Sequence, residues 1–599
     1  MAETETRIEQ PDKPEPQKLV PAPGIDLVRA ARMGMIAGLA LVFVAAVGMV
    51  IAFQVREVIA GLSFANLLLV VIPFMFGYMG GTPPEQREGF EASRPGPRNV
   101  VAGAIAGAIA GVAFGLFVAF INAFDVRDIF LHFSPELVDT LTLSGGVGVS
   151  FGAYLLGGAA LGSIGGAAHL VGERWRRPLF MALTWVVVVG LLEALVKQLF
   201  TGADLSVVNS FLFDVSGLSI AGAVTVFAVF FAIYRASGRR ETSLRESFYS
   251  LPESERRKRA IVGIVVLLLL IAVLPRILGV FMSEVADLAG IFLLMALGLN
   301  IVVGFAGLLD LGYVAFFAIG AYTTGVLTSP SAPAFSPELT FFLALPFVAM
   351  AAAFSGVLVG VPVLRMRGDY LAIVTLGFGE IARILFFSDA LSGTFGGAQG
   401  IINIPDIVIG PLVLQGSQAF FYAIFGLAVV AAYVTYALED SRMGRAWIAM
   451  REDESVAEAM GVNIVAAKLY AFIIGAILGG LGGALFATKI GAIFPSSFSV
   501  VVSVNILIIV IIGGLGSVPG VLVGAFVLVG LPELLREFDE FRFLTYGALL
   551  IFMMLKRPEG FVPSRRRAAE LHEDEIAQDD WLKREQERQE KDEVVATEA

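Results

Sequence analysis

The chain has 599 residues, of which 57% are hydrophobic, and its mean hydropathy is +0.81. Soluble domains are about 45–50% apolar, whereas this sequence repeats apolar runs long enough to span a bilayer core of about 30 Å. It therefore predicts an all-α polytopic membrane protein in a lipid bilayer, with no nucleic-acid partner. The absence of cysteine excludes disulfide bonds, and three histidines are too few for a metal cluster.

The N-terminal part of the chain predicts a tail and a first membrane module. Residues 1–28 are polar and rich in proline, which predicts a disordered cytoplasmic tail and no cleavable signal peptide. The module at 29–238 follows, and we interpret it as a scaffold, with a sensor or an assembly module as the alternatives. Its six predicted spans cover residues 30–52, 59–80, 99–121, 144–171, 178–200 and 217–236.

Two patterns predict packing inside this module. Four glycines spaced four residues apart share one helix face and permit the close approach of a neighbouring helix. They are Gly103, Gly107, Gly111 and Gly115. In the fifth span, Glu193 and Lys197 are spaced to form an i,i+4 ion pair.

A basic, polar linker at 239–259 leads to a second membrane module at 260–563, and an acidic cytoplasmic tail occupies 564–599. From residue 568 the tail has twelve acidic and four basic residues, so it carries most of the net charge of −11. The ten predicted spans of the second module cover residues 260–280, 284–304, 308–328, 340–364, 371–387, 418–437, 466–487, 498–513, 517–532 and 541–556. The third, fifth, eighth and ninth are short or glycine-rich, and are candidates for broken or re-entrant helices.

Basic loops predict the orientation, because short cytoplasmic loops carry an excess of Lys and Arg. The basic loops lie at 85–98, 172–177, 239–259, 365–367, 439–468 and 556–567, and they alternate with loops that have few basic residues. Both termini are therefore predicted to be cytoplasmic. This parity requires a turn at Gly513–Gly516, between two short spans, and gives sixteen spans in all.

Motifs that would supply energy or bind a metal are absent from the sequence. It has no P-loop and no metal-ligand spacing. The candidates for an ion-coupling charge are Asp310 and the i,i+3 pair of Glu380 with Arg383, which we interpret as structural or positioning charges. A self-sufficient secondary transporter with Glu380 as its coupling carboxylate is the alternative.

The charged segment at 439–468 is too polar to lie in lipid and is predicted to be a cytoplasmic loop. Within it, Glu452–Gly461 predicts a helix of two to three turns, with acidic residues at its start and Gly461 at its end. Val456, Ala459 and Met460 would form a narrow apolar patch. A docking helix is favoured over an amphipathic helix on the membrane surface, because anionic lipid would repel the acidic residues.

Several segments resemble the permease subunits of branched-chain amino acid ABC importers. The longest is Gly444–Lys468 (GRAWIAMREDESVAEAMGVNIVAAK), in which Glu458–Gly461 resembles the Glu-Ala-Ala…Gly loop of such permeases. Gly298–Gly320, Arg367–Arg383, Gly513–Gly520 and Arg557–Phe561 follow the family pattern in order. The resemblance is to the M-type member, with an enlarged N-terminal membrane extension. It departs at 393–400 (GTFGGAQG), where the family usually has a Gly-Gly-Pro-Asn-Gly-like turn.

The resemblance implies a transporter subunit that is not itself an enzyme, with residues 260–563 as the ABC permease core. It implies a heterodimer with an H-type permease, two cytoplasmic ATPase subunits that hold ATP and Mg, and a periplasmic amino-acid-binding protein, in the bacterial inner membrane. No cofactor is expected on this chain. Alternating access would import branched-chain amino acids; a urea or short-amide permease of the same family is the alternative. The residues expected to couple to the ATPases are Arg445, Arg451, Glu452, Asp453, Glu454, Val456, Glu458, Ala459, Met460 and Gly461.

Candidates for the substrate path are polar or glycine positions where a helix can break and expose backbone N–H groups. They are Asn300, Thr375, Gly377, Gly379, Glu380, Gly396, Gly397 and Gly400. The alternative interpretation is that these glycines only allow close helix packing, and it has the same weight as a role in the substrate path. Close packing is the interpretation of Gly475, Gly479 and Gly483.

Overall fold

The computed structural model describes residues 26–82, 96–124, 133–143, 145–202, 205–214, 216–237, 253–333, 336–363, 366, 369–536, 541–557 and 559–563. The predicted tails lie outside the described residues, except for 26–28 at the end of the first. Most of the linker also lies outside them, and its last seven residues, 253–259, are helical.

Helices that could cross a membrane account for most of the described chain. Among the described residues, nine helices are long and apolar enough to span a bilayer, one further pair forms a bent span, and five apolar helices are shorter. The only strands described are two short hairpins. The prediction of an all-α polytopic membrane protein is confirmed. The chain divides into two compact units, Met1–Ile261 and Val262–Ala599.

The first unit is a helical bundle with one small hairpin. Its helices are α1 (Leu27–Ala46), α2 (Met49–Ala52), α3 (Phe64–Gly80), α4 (Pro97–Ala123), α5 (Pro135–Leu141), α6 (Gly146–Ala167), α7 (Glu173–Leu191), α8 (Glu193–Gly202), α9 (Ser206–Leu212) and α10 (Ile220–Ser237), with a 3₁₀ turn at Ala168–Leu170. Strands β1 (Glu57–Ile59) and β2 (Leu62–Ser63) are antiparallel, with Glu57 opposite Ser63.

Helices α4 and α6 meet backbone to backbone along the predicted glycine face. A Cβ on Gly107 would lie 1.9 Å from the carbonyl oxygen of Gly158, and one on Gly103 would lie 2.3 Å from that of Gly162. No side chain fits in this contact, so the prediction of close packing along this face is confirmed.

The fifth predicted span is bent: α7 and α8 meet at an angle of 78°. The Glu193 carboxylate at the start of α8 accepts hydrogen bonds from Lys197 Nζ, at 2.5 Å, and from the backbone N–H of Gly217, at 2.7 Å. The predicted Glu193–Lys197 pair is therefore confirmed. The predicted span over 178–200 is broken between α7 and α8, where the carboxylate connects the start of α8 to the Gly217 turn.

Thirteen α-helices lie in the described residues of the second unit, and the first of them begins before the boundary at Val262. They are α11 (Glu253–Leu299), α12 (Val314–Thr328), α13 (Phe341–Val363), α14 (Asp369–Phe387), α15 (Ser392–Phe395), α16 (Gly416–Glu439), α17 (Arg442–Glu452), α18 (Glu454–Ala459), α19 (Ile464–Ile490), α20 (Val500–Gly513), α21 (Val518–Ala525), α22 (Leu531–Leu534) and α23 (Phe541–Lys556). Strands β3 (Ile407–Ile409) and β4 (Leu412–Leu414) form an antiparallel hairpin.

Irregular backbone separates predicted spans, but three of the four spans named as candidates for broken helices contain the continuous helices α12, α14 and α20. Gly279 has a φ of 73° and interrupts α11 between the two predicted spans at 260–280 and 284–304. Gly514 and Gly516 have φ values of 124° and 76°, which places a turn between α20 and α21 as predicted. Short irregular helices complete the unit: π turns at Asn300–Phe305 and Phe526–Gly530, and 3₁₀ turns at Asp389–Leu391, Gly397–Gln399 and Pro495–Ser497.

Helix α19 lies at the centre of this unit and packs on α12 and α13. A Cβ on Gly483 would lie 2.0 Å from the Phe317 carbonyl oxygen, and one on Gly475 would lie 2.6 Å from Val302 Cγ2. The Tyr313 hydroxyl, which is buried, donates to the Gly475 carbonyl at 2.6 Å. The packing role predicted for the glycines of α19 is confirmed.

The substitution Gly107→Ala tests the α4–α6 contact. Alanine favours a helix by about 1 kcal/mol over glycine, but here its methyl group would overlap the Gly158 carbonyl, and overpacking costs about 1–3 kcal/mol. Thermal unfolding of the full chain in detergent should show a lower midpoint. Gly157→Ala is the matched control, because a Cβ on Gly157 meets nothing within 4 Å, and its midpoint should stay level or rise. Equal midpoints for both variants would contradict the contact.

Candidate functional site

The predicted docking segment forms two short helices, not one. Helix α17 ends at Glu452, and α18 runs only from Glu454 to Ala459. The Asp453 carboxylate separates them by accepting from the N–H groups of Ser455, at 2.8 Å, and Val456, at 2.9 Å. This N-cap satisfies the free donors of a new helix start. The single helix predicted over Glu452–Gly461 is wrong at its start, because Asp453 caps α18.

Helix α17 is held in the core. Trp447 is fully buried, and its indole N–H donates to the Ala467 carbonyl at the start of α19, at 2.8 Å. Met450 is also buried. At the other end of α17, the Ser441 hydroxyl accepts from the Gly444 N–H at 3.1 Å. Helix α17 is therefore fixed against α19 by its buried face.

Arg451 connects the same loop to the broken end of α11. Its Nη1 donates to the Gly304 carbonyl at 2.6 Å, inside the π turn. Its aliphatic stem covers Gly307, where a Cβ would lie 2.8 Å from Arg451 Cγ. One step further, Asn300 Oδ1 accepts from the Gly516 N–H at 2.9 Å. The loop, the π turn and the turn at Gly513–Gly516 therefore form a hydrogen-bonded series.

Lys468 ties α18 to α19. Its side chain is 2% exposed, and Nζ lies 2.8 Å from Glu454 Oε1, whose side chain is 25% exposed. An unpaired ammonium group in this position would be costly, so Glu454 holds the start of α18 close to α19. The tie joins residues fourteen positions apart in sequence.

The outer face of α18 is exposed and apolar. Val456 is 59% exposed and Met460 is 81% exposed, whereas Ala457 between them is buried. Glu458 and Ala459 are exposed as well. Gly461 ends the helix with a φ of 89°, as predicted. The predicted apolar patch is thus presented outward, on a helix that is anchored from behind.

Two other predicted coupling residues lie away from this face. Arg445 is on α17, and its Nη1 donates to the Asp440 carbonyl at 2.7 Å, within its own loop. Glu452 ends α17 and is exposed. A cavity of about 320 Å³ lies behind the loop, lined by Gly307, Arg451 and Lys468 among others. The loop therefore borders a polar cleft, and it contacts the core through Trp447, Arg451 and the Glu454–Lys468 pair.

Part of the predicted substrate path meets the segment before α12. Thr375 is buried, and its hydroxyl accepts from the Leu311 N–H at 3.1 Å. A Cβ on Gly379 would lie 3.1 Å from Gly312 Cα. Asn300 is also buried, and its Nδ2 has no hydrogen-bond partner. Thr375 and Gly379 thus lie where α14 packs closely on the 310–313 segment.

A different face of α14 is open. A Cβ on Gly377 would meet nothing within 4 Å, and the Glu380 side chain is partly exposed. Arg383 Nε donates to both Glu380 carboxylate oxygens, at 3.0 and 3.1 Å, so the predicted ion pair is confirmed. Ile373 and Ile381 are exposed on the same helix. This face carries a neutralised charge pair in an apolar setting.

The other three path candidates form a tight turn beyond α14. Gly396, Gly397 and Gly400 all have positive φ values, between 55° and 79°. A Cβ on Gly400 would lie 1.9 Å from the carbonyl oxygen of Ile493. These glycines are required by the turn itself, so the structure does not bring all the predicted path residues into one site.

One buried ion pair was not predicted from the sequence. Lys489 Nζ lies 2.5 Å from Asp287 Oδ2 and 2.8 Å from Ser417 Oγ, which joins α19 to α11 and α16. Asp287 is fully buried. The pair spans 202 positions, so local patterns could not predict it. The available signal was two acids, Glu284 and Asp287, near the start of one predicted span and a base, Lys489, just beyond the end of another.

The described residues define a polytopic membrane protein, with many apolar helices and one short helix, α18, whose apolar residues Val456 and Met460 are exposed. The family described as branched-chain amino acid transport system / permease component matches residues 281–555. Helices α1 to α10 of the first unit lie outside that match. No solved structure matches the chain.

Curated relatives agree with this match. The chain is 39% identical over 331 residues to the high-affinity branched-chain amino acid transport system permease protein LivM of Escherichia coli, covering 51% of this chain and 76% of that protein. It is 24% identical to the LivH permease protein of Salmonella typhimurium, over 46% of this chain and 92% of that protein. The chain belongs to the family of branched-chain amino acid ABC transporter permeases, as an M-type member with an N-terminal extension.

A double-mutant cycle tests the tie between α18 and α19. Glu454→Gln leaves Lys468 buried without its carboxylate and should destabilise α18 locally by about 2–4 kcal/mol. Amide hydrogen exchange over 454–461 should then become faster, and adding Lys468→Met should restore much of the protection. Glu458→Gln is the control, because that carboxylate is exposed on the same helix. Equal acceleration by both Gln variants would contradict a specific tie.

Proposed function

We propose that this chain is a transmembrane subunit of an ATP-driven importer of branched-chain amino acids. The observation that carries the proposal is the exposed apolar pair of Val456 and Met460 on a short helix anchored to the core by Glu454 and Lys468. An apolar pair that is held rigidly on a short helix is suited to bind in a groove on a partner subunit. An H-type permease, ATPases and a periplasmic amino-acid-binding protein complete the proposed assembly in the bacterial inner membrane.

ATP hydrolysis is assigned to the partner subunits, because the chain has no P-loop of its own. ATP and Mg would bind there, and movement of an ATPase would displace α18. The displacement has two physical routes into the core: the Lys468 pair into α19, and Arg451 into the π turn at Gly304. Packed helices transmit such movement as rigid bodies.

Alternating access follows from this arrangement if the two routes move different elements. Helix α19 packs on α12 and α13, whereas Arg451 holds the end of α11 and, through Asn300, the turn before α21. A change at α18 would shift both sets relative to each other. Whether ATP occupies the ATPases would then decide which of the two states, inward-facing or outward-facing, is favoured.

The assignment of branched-chain amino acids to this chain rests on its relatives, whose names state that substrate class. The charge pair of Glu380 and Arg383 favours a permease that is powered by partner subunits over a transporter that is powered by its own ion coupling. Because the guanidinium Nε binds both carboxylate oxygens, this carboxylate is engaged in a structural pair and does not suit the coupling role of a self-sufficient secondary transporter. Both termini are proposed to face the cytoplasm.

Replacing the apolar pair of Val456 and Met460 should uncouple ATP hydrolysis from uptake in the complex. The variant Val456→Ser/Met460→Ser keeps the fold, because both side chains are exposed, but removes two contacts that each contribute on the order of 1–2 kcal/mol at an interface centre. ATP-driven leucine uptake by the reconstituted complex should fall at least about tenfold. Val207→Ser is the matched control, since Val207 is 80% exposed in the first unit.

Two outcomes would contradict the proposal. One is full leucine uptake by the double serine variant. The other is uptake driven by an ion gradient when the purified chain is placed alone in liposomes, which would favour a secondary transporter.

A further inference from the structure

A groove on the first unit lies between α3, α6 and α7. It encloses about 360 Å³, within the range of about 300–1,000 Å³ typical of small-ligand sites. Its walls are apolar and include Phe74, Ile164, Val171, Leu179 and Leu183. Ile164, Leu179 and Leu183 are exposed within this unit. The groove is therefore shaped for an apolar chain that lies along the helices.

One end of the groove carries a fixed positive charge, Arg176. Its Nη1 lies 3.4 Å from His169 Nδ1, and its guanidinium lies 6.0 Å from the centre of the Tyr78 ring. His169 is buried, stacks on Tyr78 at 4.1 Å, and its Nε2 lies 2.9 Å from the Tyr78 carbonyl oxygen. Because a carbonyl only accepts, Nε2 carries the hydrogen, and Nδ1 is left to accept from Arg176. This network holds the guanidinium at the groove end.

The surrounding end of the bundle is strongly basic. Contacts of Gly80 with Ala30, of Gly81 with Asn99, and of Asn99 with Gly166 place the start of α1, the end of α3, the start of α4 and the end of α6 together. Trp175 lies against Arg235, 4.9 Å from ring centre to guanidinium, which adds the end of α10. The arginines at this end are Arg29, Arg32, Arg98, Arg174, Arg176, Arg177 and Arg235; of its described positions, two are acidic, Asp26 and Glu173.

The opposite end of the unit has the reverse balance. Among its described residues, the acids are Glu57, Glu136, Asp139, Glu193 and Asp214, and the bases are Arg56 and Lys197. An anion is thus attracted to the end where Arg176 stands and not to the other. Basic pockets between membrane helices on the cytoplasmic side are suited to anionic lipid head groups.

We propose that this groove is a binding site for an anionic phospholipid, with one acyl chain along the apolar walls and the phosphate at Arg176. The charge selects the occupant. A zwitterionic lipid has no net charge to complement the arginines, and an apolar helix of another protein would leave the Arg176 guanidinium without an anion. Arg–phosphate pairs are strong because the planar guanidinium can donate two parallel hydrogen bonds.

Tryptophan fluorescence gives a direct test, because Trp175 and Leu179 are four residues apart on α7 and Trp175 is 52% exposed. The full chain is reconstituted in phosphatidylcholine vesicles that contain increasing fractions of phosphatidylglycerol with brominated acyl chains. A site should give quenching that saturates at a low fraction of phosphatidylglycerol and disappears in Trp175→Phe. Brominated phosphatidylcholine should give only quenching in proportion to its amount.

Variants distinguish binding of phosphatidylglycerol in the groove from its general electrostatic attraction to the basic end of the unit. Arg176→Gln should weaken the saturating component about fivefold, the usual contribution of one arginine near an anionic surface, and Arg176→Lys should recover part of it. Arg98→Gln removes the same charge from α4 at the same end and should leave the component unchanged. Ala167→Phe fills the groove without changing charge and should abolish it.

The proposal is overturned if brominated phosphatidylglycerol quenches no more than brominated phosphatidylcholine. It is also overturned if Arg98→Gln weakens the component as much as Arg176→Gln does. Should Arg176→Gln fail to fold, Ala167→Phe still decides, because unchanged quenching in that variant excludes the groove.

Discussion

Backbone contact along the glycine-rich helix α19 is the constraint on which the second unit depends. Its glycines bring it against Phe317 and Val302, and a Cβ at these positions would overlap its neighbours. In a membrane, where lipid competes equally for apolar side chains, such close packing supplies much of the association between helices. Ion pairs hold both ends of the same helix, Lys468 with Glu454 and Lys489 with Asp287. Helix α19 therefore acts as a rigid element fixed at both ends.

This rigidity gives the short helix α18 its significance. Alone, six residues would not form a stable helix in water. Here the Asp453 cap, the Lys468 pair and buried Ala457 hold it, so Val456 and Met460 point outward from a firm base. The first unit depends on the same kind of glycine contact, between α4 and α6. Its basic end, at Arg176, is where we propose that an anionic phospholipid binds.

Sequence patterns predicted the elements that depend on local composition. Apolar runs placed the spans, Gly513–Gly516 placed a turn, and the four-residue glycine spacing identified the α4–α6 contact. What they missed depends on proximity in three dimensions. Asp453 capped a second helix where acidic residues predicted one longer helix, and Asp287 met Lys489 across 202 positions. The candidate coupling residues were placed on the correct loop, but only contacts distinguish the anchored Arg451 and Glu454 from the exposed Val456 and Met460.

Cross-linking at Met460 tests the central proposal most directly. Because the chain has no cysteine, Met460→Cys introduces a single reactive thiol on the exposed face of α18. In the reconstituted complex, a short thiol-to-amine cross-linker should join this position to an ATPase subunit and stop ATP-driven uptake, whereas Val207→Cys should give neither result. An active complex in which Met460→Cys forms no adduct with an ATPase, although its thiol is labelled, would contradict the account.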